Sequence, residues 1–283
     1  MARPWFTGPN VRSGRFSAGA NFQCGSNVTI DVAEEVVIGD RCLLADNTYL
    51  SGRRVTIGDD FYGYNTTHLG NALDVGRGRI DEEDAILTVG DKCTFHNNRI
   101  DLTRRVTIGN DVGLSPDVVI YTHGYWQSVL EGYPAKYESV EIGHETIIGF
   151  RSVLLPGAKV GNGCVVGAQS VVAGKIGPLG IYAGSPARLL RPVNVTPSLT
   201  ERKSMLQQVM EDYRRTCLYR NVEVEFWYYY PTVSVPRCEL DVEAGRVVEG
   251  QEDEYSDDLR WFLFTRGIRI YTNRPFRKLG RKQ

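Results

Sequence analysis

The sequence predicts a mainly β solenoid followed by a small α+β appendage. Three observations lead there. In residues 142–176 a large aliphatic residue stands at every sixth place, at Ile142, Ile148, Leu154, Val160, Val166 and Val172. Four places after each of the first five stands a small one, at Thr146, Ser152, Ala158, Cys164 and Ser170. The pattern then stops near PARLLRPV, residues 186–193, where the composition changes. A helix repeats at about 3.6 residues and a strand at about 2, so neither alone makes a strict six. A chain that runs flat, turns, and stacks coil on coil does.

The same step extends upstream. Phe16, Phe22 and Val28 follow it, then Ile38, Leu44 and Leu50, then Ile57, Val89 and Phe95, then Ile108, Leu114 and Ile120. Three hexapeptides complete a coil, and stacked coils bury a core that no single coil could bury. The steps between coil starts 38 and 57, and between 89 and 108, are 19 residues, close to ideal. The steps from 57 to 89 and from 108 to 142 are 32 and 34. Two excursions are therefore expected, near residues 60–86 and 121–139. Loops on a rigid scaffold are where function concentrates.

Residues 1–193 thus read as the solenoid domain and 194–283 as the appendage. In the appendage Ser198 and Glu201 fit a capping box. Met205, Leu206, Val209, Met210 and Tyr213 would share one helical face. Residues 222–250 read as strands and turns. A second helix is expected from about Asp257 to Gly267, and a last strand in IRIYTNRPF, residues 268–276. The aromatic run Phe226–Tyr230 reads as strand and core, with stacking on a sugar ring as the alternative.

Bulk properties exclude some classes. The formal net charge is −1 with 24% charged residues, which gives no electrostatic footing for nucleic acid or an anionic membrane. No stretch approaches the roughly 20 apolar residues of a membrane span, and the N-terminus lacks the apolar core of a signal peptide. The expectation is a soluble, cytoplasmic protein. Cys42, Cys93 and Cys164 fall at the small place of the repeat and read as buried free thiols. No cysteine spacing suggests a metal site, and no P-loop, GxSxG, HExxH or paired CxxC occurs.

The repeat, the loop VVIYTHG, the run LLPGAKVGNGCVVGAQSVV and the ending IYAGSPARLLR resemble the hexapeptide-repeat acyltransferases, in particular the galactoside, serine, maltose and xenobiotic O-acetyltransferase group. The resemblance covers about residues 16–193. It implies a left-handed parallel β-helix, acetyl-CoA as acyl donor with no metal, a homotrimer, and a sugar or glycan precursor as acceptor. An amine acceptor, or a scaffold with no chemistry, are the alternatives.

Site residues follow from the resemblance together with their chemistry. His123 opens the second excursion and suits a general base that takes the acceptor's proton. The group that orients it is not assigned: Glu131 and Glu138 share its loop and nothing selects either. Asn97 and Asn98, one coil earlier, are candidates for acceptor binding, with a turn or ladder role as the alternative. Tyr125 and Trp126 are further acceptor-side candidates. His96 and His144 read as solvent-facing, and His68 is left open. On the donor side the resemblance assigns Gly149, Ala168 and Ala173 to close approach of the cofactor arm, and Arg188, Arg191 and Lys175 to its phosphates. A backbone N–H near Gly149 is the candidate donor to the thioester oxygen.

Overall fold

The structure, a computed structural model, describes residues 9–65, 72–76, 83–193, 197–274 and 276–279. The chain divides into two compact units, residues 1–194 and 195–283, and each has its own hydrophobic core.

The first unit is the parallel β-helix that the period of six predicts. Short strands lie in register from coil to coil: Val106 and Ile108 face Leu87 and Val89 on one side and Val140 and Ile142 on the other. The sixth-place residues fill the interior, and from Ile38 to Val172 all are buried. Phe16 and Phe22 pack edge to face at the first described coil, and Phe16 is exposed. Arg188–Pro192 ends the stack by turning back antiparallel on Gly180–Ala183.

The small place has a chemical reason beyond size. Its side chains donate to carbonyls at the next turn: Thr146 Oγ1 to Gly161 O at 3.1 Å, Ser152 Oγ to Gly167 O at 2.9 Å and Cys164 Sγ to Gly177 O at 3.0 Å. A buried carbonyl left without a partner would be costly. All six cysteines are free and buried. Burial pushes the Cys42 thiol up to about 11, as for a thiol that packs rather than reacts.

Outside the coils, a second ladder joins successive turns. Asp40, Asp59, Asp91 and Asn110 each accept, through Oδ1, the backbone N–H one coil below. His144 takes the same place, its Nδ1 accepting the Asn110 N–H at 2.9 Å, and Asn162 Oδ1 accepts the His144 N–H in turn. His144 is exposed, as expected, but its ring is part of the scaffold.

Residues 60–86 do not leave the solenoid as one loop, because Tyr62–Tyr64 and Leu73–Val75 are strands of it. The period was obscured by a local exchange of sizes. Gly63 lies in register with Leu44 and Phe95, where a large residue belongs. Phe61, fully buried at the neighbouring small place, fills that space: its ring is 3.2 Å from where a Cβ on Gly63 would sit. The excursion over 121–139 does leave, as a two-stranded hairpin pairing His123–Gly124 with Lys136–Tyr137 around a 3-10 turn at Val129–Glu131.

In the second unit, helix α1 (Leu199–Arg220) begins at the expected Ser198–Glu201 capping box. Its buried face is Leu206, Met210, Tyr213, Cys217 and Arg220, whereas Met205 is exposed. Helix α2 (Glu254–Phe264) starts three residues before the expected Asp257, because Asp253 and Ser256 form a reciprocal cap. Four antiparallel strands lie between the helices in sequence. Among the described residues of 268–276 the expected last strand does not form. Ile270 is fully buried, but its carbonyl accepts from Arg260, and Arg274 nearby pairs with Asp257. Side chains of α2 thus take the bonds a sheet would have made. Asp258, fully buried, accepts from Arg220 at 2.6 Å and from Tyr213 at 3.0 Å.

The turn ladder gives a direct test. His144→Leu removes the acceptor of the Asn110 N–H and should cost about 1 kcal/mol in urea unfolding. His144→Asn, which restores the oxygen found elsewhere in the ladder, should recover most of that loss.

Candidate active site

His123 sits where the second excursion departs, and one coil corner below it lies Asp101. Register brings them together. Ile100 pairs with Ile120, and the Asp101 N–H donates to the Ile120 carbonyl at 2.9 Å. The lower coil turns its corner directly, through residues 101–105, while the coil above spends residues 121–139 on the hairpin. Asp101 is thereby held under the hairpin's base, 22 residues from the histidine in sequence. Asp101 Oδ2 is 2.6 Å from His123 Nδ1.

The carboxylate is buried and fully engaged. Oδ2 also accepts from the Thr122 N–H at 2.9 Å and from the Thr122 hydroxyl at 2.7 Å. Oδ1 accepts from the Thr103 N–H at 3.1 Å and hydroxyl at 2.9 Å. Burial alone would raise its pKa. The hydrogen bonds from Thr122, His123 and Thr103 outweigh that and hold it below the ordinary carboxylate range. An ionised Asp101 can only accept, so Nδ1 carries the proton and donates. That leaves the Nε2 lone pair for chemistry.

Aromatic rings wall the imidazole. Tyr137, paired with His123 across the hairpin, stacks at 6.3 Å between centroids, and Tyr125 lies 5.9 Å from it. Arg104 lies over the Tyr137 ring, its guanidinium carbon 5.4 Å from the centroid. Trp126 is almost fully exposed at the hairpin's start.

Asp101, Thr103, Thr122 and Tyr137 carry no local sequence signal for this site, because Asp101 and Thr103 lie on the coil below the histidine's loop. The available signal is register: the pairing of Ile100 with Ile120 carries Asp101 level with Tyr121, within reach of the Thr122 N–H and of His123. Glu131 lies exposed in the 3-10 turn and Glu138 pairs with Lys136, so neither orients His123.

The other expected residues are placed as follows. Asn98 is buried, its Oδ1 accepting the His96 N–H and its Nδ2 donating to the Ser115 carbonyl. Asn97 is a left-handed turn residue whose amide donates to Asn65 Oδ1 at 3.0 Å. Both asparagines are thus bonded within the coils. His96 is half-buried rather than solvent-facing. It stacks on Tyr64 at 5.3 Å, and burial lowers its pKa. His68 lies outside the described residues.

On the donor side Ala168, Ala173, Lys175, Arg188 and Arg191 are exposed. Arg188 and Arg191 lie on the terminal strand opposite Ala183 and Ile181. Gly149 has a reason internal to the coil: an added Cβ would fall 2.6 Å from the Ala168 nitrogen and the Val166 oxygen. Its N–H donates to the Val166 carbonyl at 2.8 Å. The inter-coil ladder thus uses the N–H of Gly149 itself.

The Asp101 cluster predicts a pH-dependent stability. Its pKa is lowered on folding, so the stabilisation is fully present above about 4 and is lost as pH falls through the depressed value. Asp101→Asn, which turns a donor toward the Thr122 N–H, should cost about 1.5–3 kcal/mol at pH 7. Denaturant titrations of both proteins should converge as the medium is acidified below that range.

Comparison with known proteins agrees with the fold. Residues 139–174 match the family described as bacterial transferase hexapeptide (six repeats). Galactoside O-acetyltransferase of Escherichia coli is 31% identical over 99 residues, 31% of this chain and 45% of that protein. A chloramphenicol acetyltransferase of Morganella morganii is 38% identical over 50 residues, 18% of this chain and 24% of that protein. The chain thus spans about half the length of the first relative and less of the second. A crystal structure of a hexapeptide-repeat-containing acetyltransferase from Vibrio cholerae is 26% identical, with a TM-score of 0.36, over 38% of this chain and 64% of that one. Over residues 139–174 the sequence period, the coil geometry and the match to the hexapeptide-repeat transferases coincide.

Proposed function

We propose that the protein is an acetyl-CoA-dependent O-acetyltransferase acting on a hydroxyl of a sugar or glycan precursor. The observation that carries the reading is the Asp101–His123 pair at the root of the hairpin. Nε2 takes the acceptor's hydroxyl proton as the oxygen attacks the thioester carbonyl. The carbonyl–sulfur bond then breaks, and the sulfur of CoA leaves with the proton returned from His123. Asp101 stabilises the imidazolium formed between the two steps and fixes the ring. With both substrates held in contact, no acyl-enzyme is required.

The base favours a hydroxyl over an amine. A neutral amine attacks without prior loss of a proton, whereas a hydroxyl gains most from a positioned acceptor of its proton. Tyr125, Trp126 and Tyr137 offer ring faces to the acceptor's C–H surface. Exposed Ala168 and Ala173 leave room for the pantetheine arm, and exposed Arg188 and Arg191, with Lys175, suit the nucleotide phosphates. The assembly we propose is a homotrimer, on the resemblance.

Calorimetric titration tests the donor half. Acetyl-CoA should bind saturably, and the Arg188→Ala, Arg191→Ala double variant should bind about tenfold more weakly or worse. A folded protein that binds neither acetyl-CoA nor CoA would remove the proposal. With a sugar acceptor in hand, His123→Ala should lose about 10²–10⁴ in kcat while its affinity for acetyl-CoA stays as in the wild type. Asp101→Asn should lower kcat with little change in KM, because it acts on the base and not on binding.

A further inference from the structure

The sheet of the second unit has one face on that unit's core and one face open. Its strands are Trp227–Tyr229, Thr232–Val235, Cys238–Asp241 and Arg246–Gly250. Tyr228, Val233, Val235, Cys238 and Leu240 belong to the core. Strand alternation sends the residues between them to the other face.

Register arranges that face in two parallel rows. Trp227 stands opposite Ser234, Ser234 opposite Glu239, and Glu239 opposite Glu249. Beside it, Tyr229 stands opposite Thr232, Thr232 opposite Asp241, and Asp241 opposite Arg246. Each row therefore runs aromatic, hydroxyl, carboxylate, the first ending on a second carboxylate at Glu249 and the second on Arg246. The rings are open to solvent, Trp227 at 56% and Tyr229 at 78% of full exposure. Ser234 and Glu239 have no side-chain hydrogen bond or ion pair among the described residues. Asp241 Oδ1 is occupied by the amides of Glu243 and Ala244, which leaves Oδ2.

Neither feature serves the sheet itself. Two carboxylates directly opposite each other across strands destabilise it, and two large rings two residues apart on one strand leave apolar surface in water. What answers both is a ligand with apolar C–H faces and many hydroxyl or amine donors. We propose that this face binds a saccharide chain carrying no net negative charge. Sugar rings lie on Trp227 and Tyr229, whose negative ring faces attract the polarised C–H bonds. Their hydroxyls, or an amine, donate to Glu239, Asp241 and Glu249. The rows are about 7 Å apart, and ring to carboxylate within a row spans about 10 Å, a strip suited to an extended chain. Glu239 and Glu249, opposite each other with no cation in their row, repel uronate or phosphate groups. This inference stands apart from acyl transfer, since it concerns binding by the appendage alone.

The test is calorimetric titration of the full-length protein with three hexasaccharides: glucose, glucosamine and galacturonate hexamers. Saturable binding of the glucose or the glucosamine hexamer, and none of the galacturonate hexamer, is expected. Trp227→Ala and Tyr229→Ala should each weaken it at least about tenfold, the scale of an aromatic anchor, with the thermal midpoint unchanged. Trp227→Leu, which keeps apolar surface without the ring, should weaken it likewise if truncation disturbs folding. His123→Ala should bind as the wild type does. The proposal is overturned if neither permitted hexamer binds, if the galacturonate hexamer binds as well as they do, or if binding survives loss of both rings. Loss in His123→Ala with retention in the ring variants would also overturn it, placing the sugar at the other site.

Discussion

Successive coils are joined by parallel backbone hydrogen bonds, and the register of those bonds decides where every other group can go. A shift of one residue would send the aliphatic row outward. The protein guards against it several times over. Large residues fill one column, and small donors answer buried carbonyls in the next. Asp, Asn and His side chains cap the turns in a third. Charges on the corner also alternate from coil to coil: Arg15 meets Glu35, Glu34 meets Arg53 and Arg54, and Asp84 meets Arg105. Such exposed pairs add little stability, but each is satisfied in one register only.

The candidate active site is a by-product of this order. A corner that turns directly at Asp101–Arg105 lies beneath a corner that opens into a hairpin, so a buried carboxylate comes to rest under the first residues of a loop. Thr103 and Thr122 complete its shell from the two coils. The hairpin needs only to carry a histidine and some rings. The solenoid provides the anion, its low pKa and the orientation of the imidazole.

The period of six made the fold legible from the sequence alone, because each coil repeats the same packing problem with the same answer. It failed where the answer changed: Phe61 and Gly63 exchange sizes, and two strands were hidden within residues 60–86. His123 was legible as a histidine at the start of an excursion. Asp101 was not, since its partner is 22 residues away and only coil register unites them. Asn98 and Gly149, assigned by resemblance, also make bonds within and between coils, which residue type alone does not reveal. In the appendage, local caps at Ser198 and Asp253 are sequence signals with a mechanism. The missing last strand is a tertiary outcome, decided by Arg260 and Asp257 in α2. In the aromatic run Phe226–Tyr230, strand alternation turns only every second ring to the core.

The central claim is that Asp101 fixes His123 with its proton on Nδ1 and its lone pair on Nε2. Nitrogen-15 NMR of the imidazole side chains, with His123 assigned by comparison with His123→Ala, measures this without any substrate. The account predicts that neutral His123 is protonated at Nδ1, and that Asp101→Ala abolishes the preference. A neutral His123 protonated at Nε2 in the wild type would contradict it, because the nitrogen facing the acceptor would then hold a proton instead of taking one.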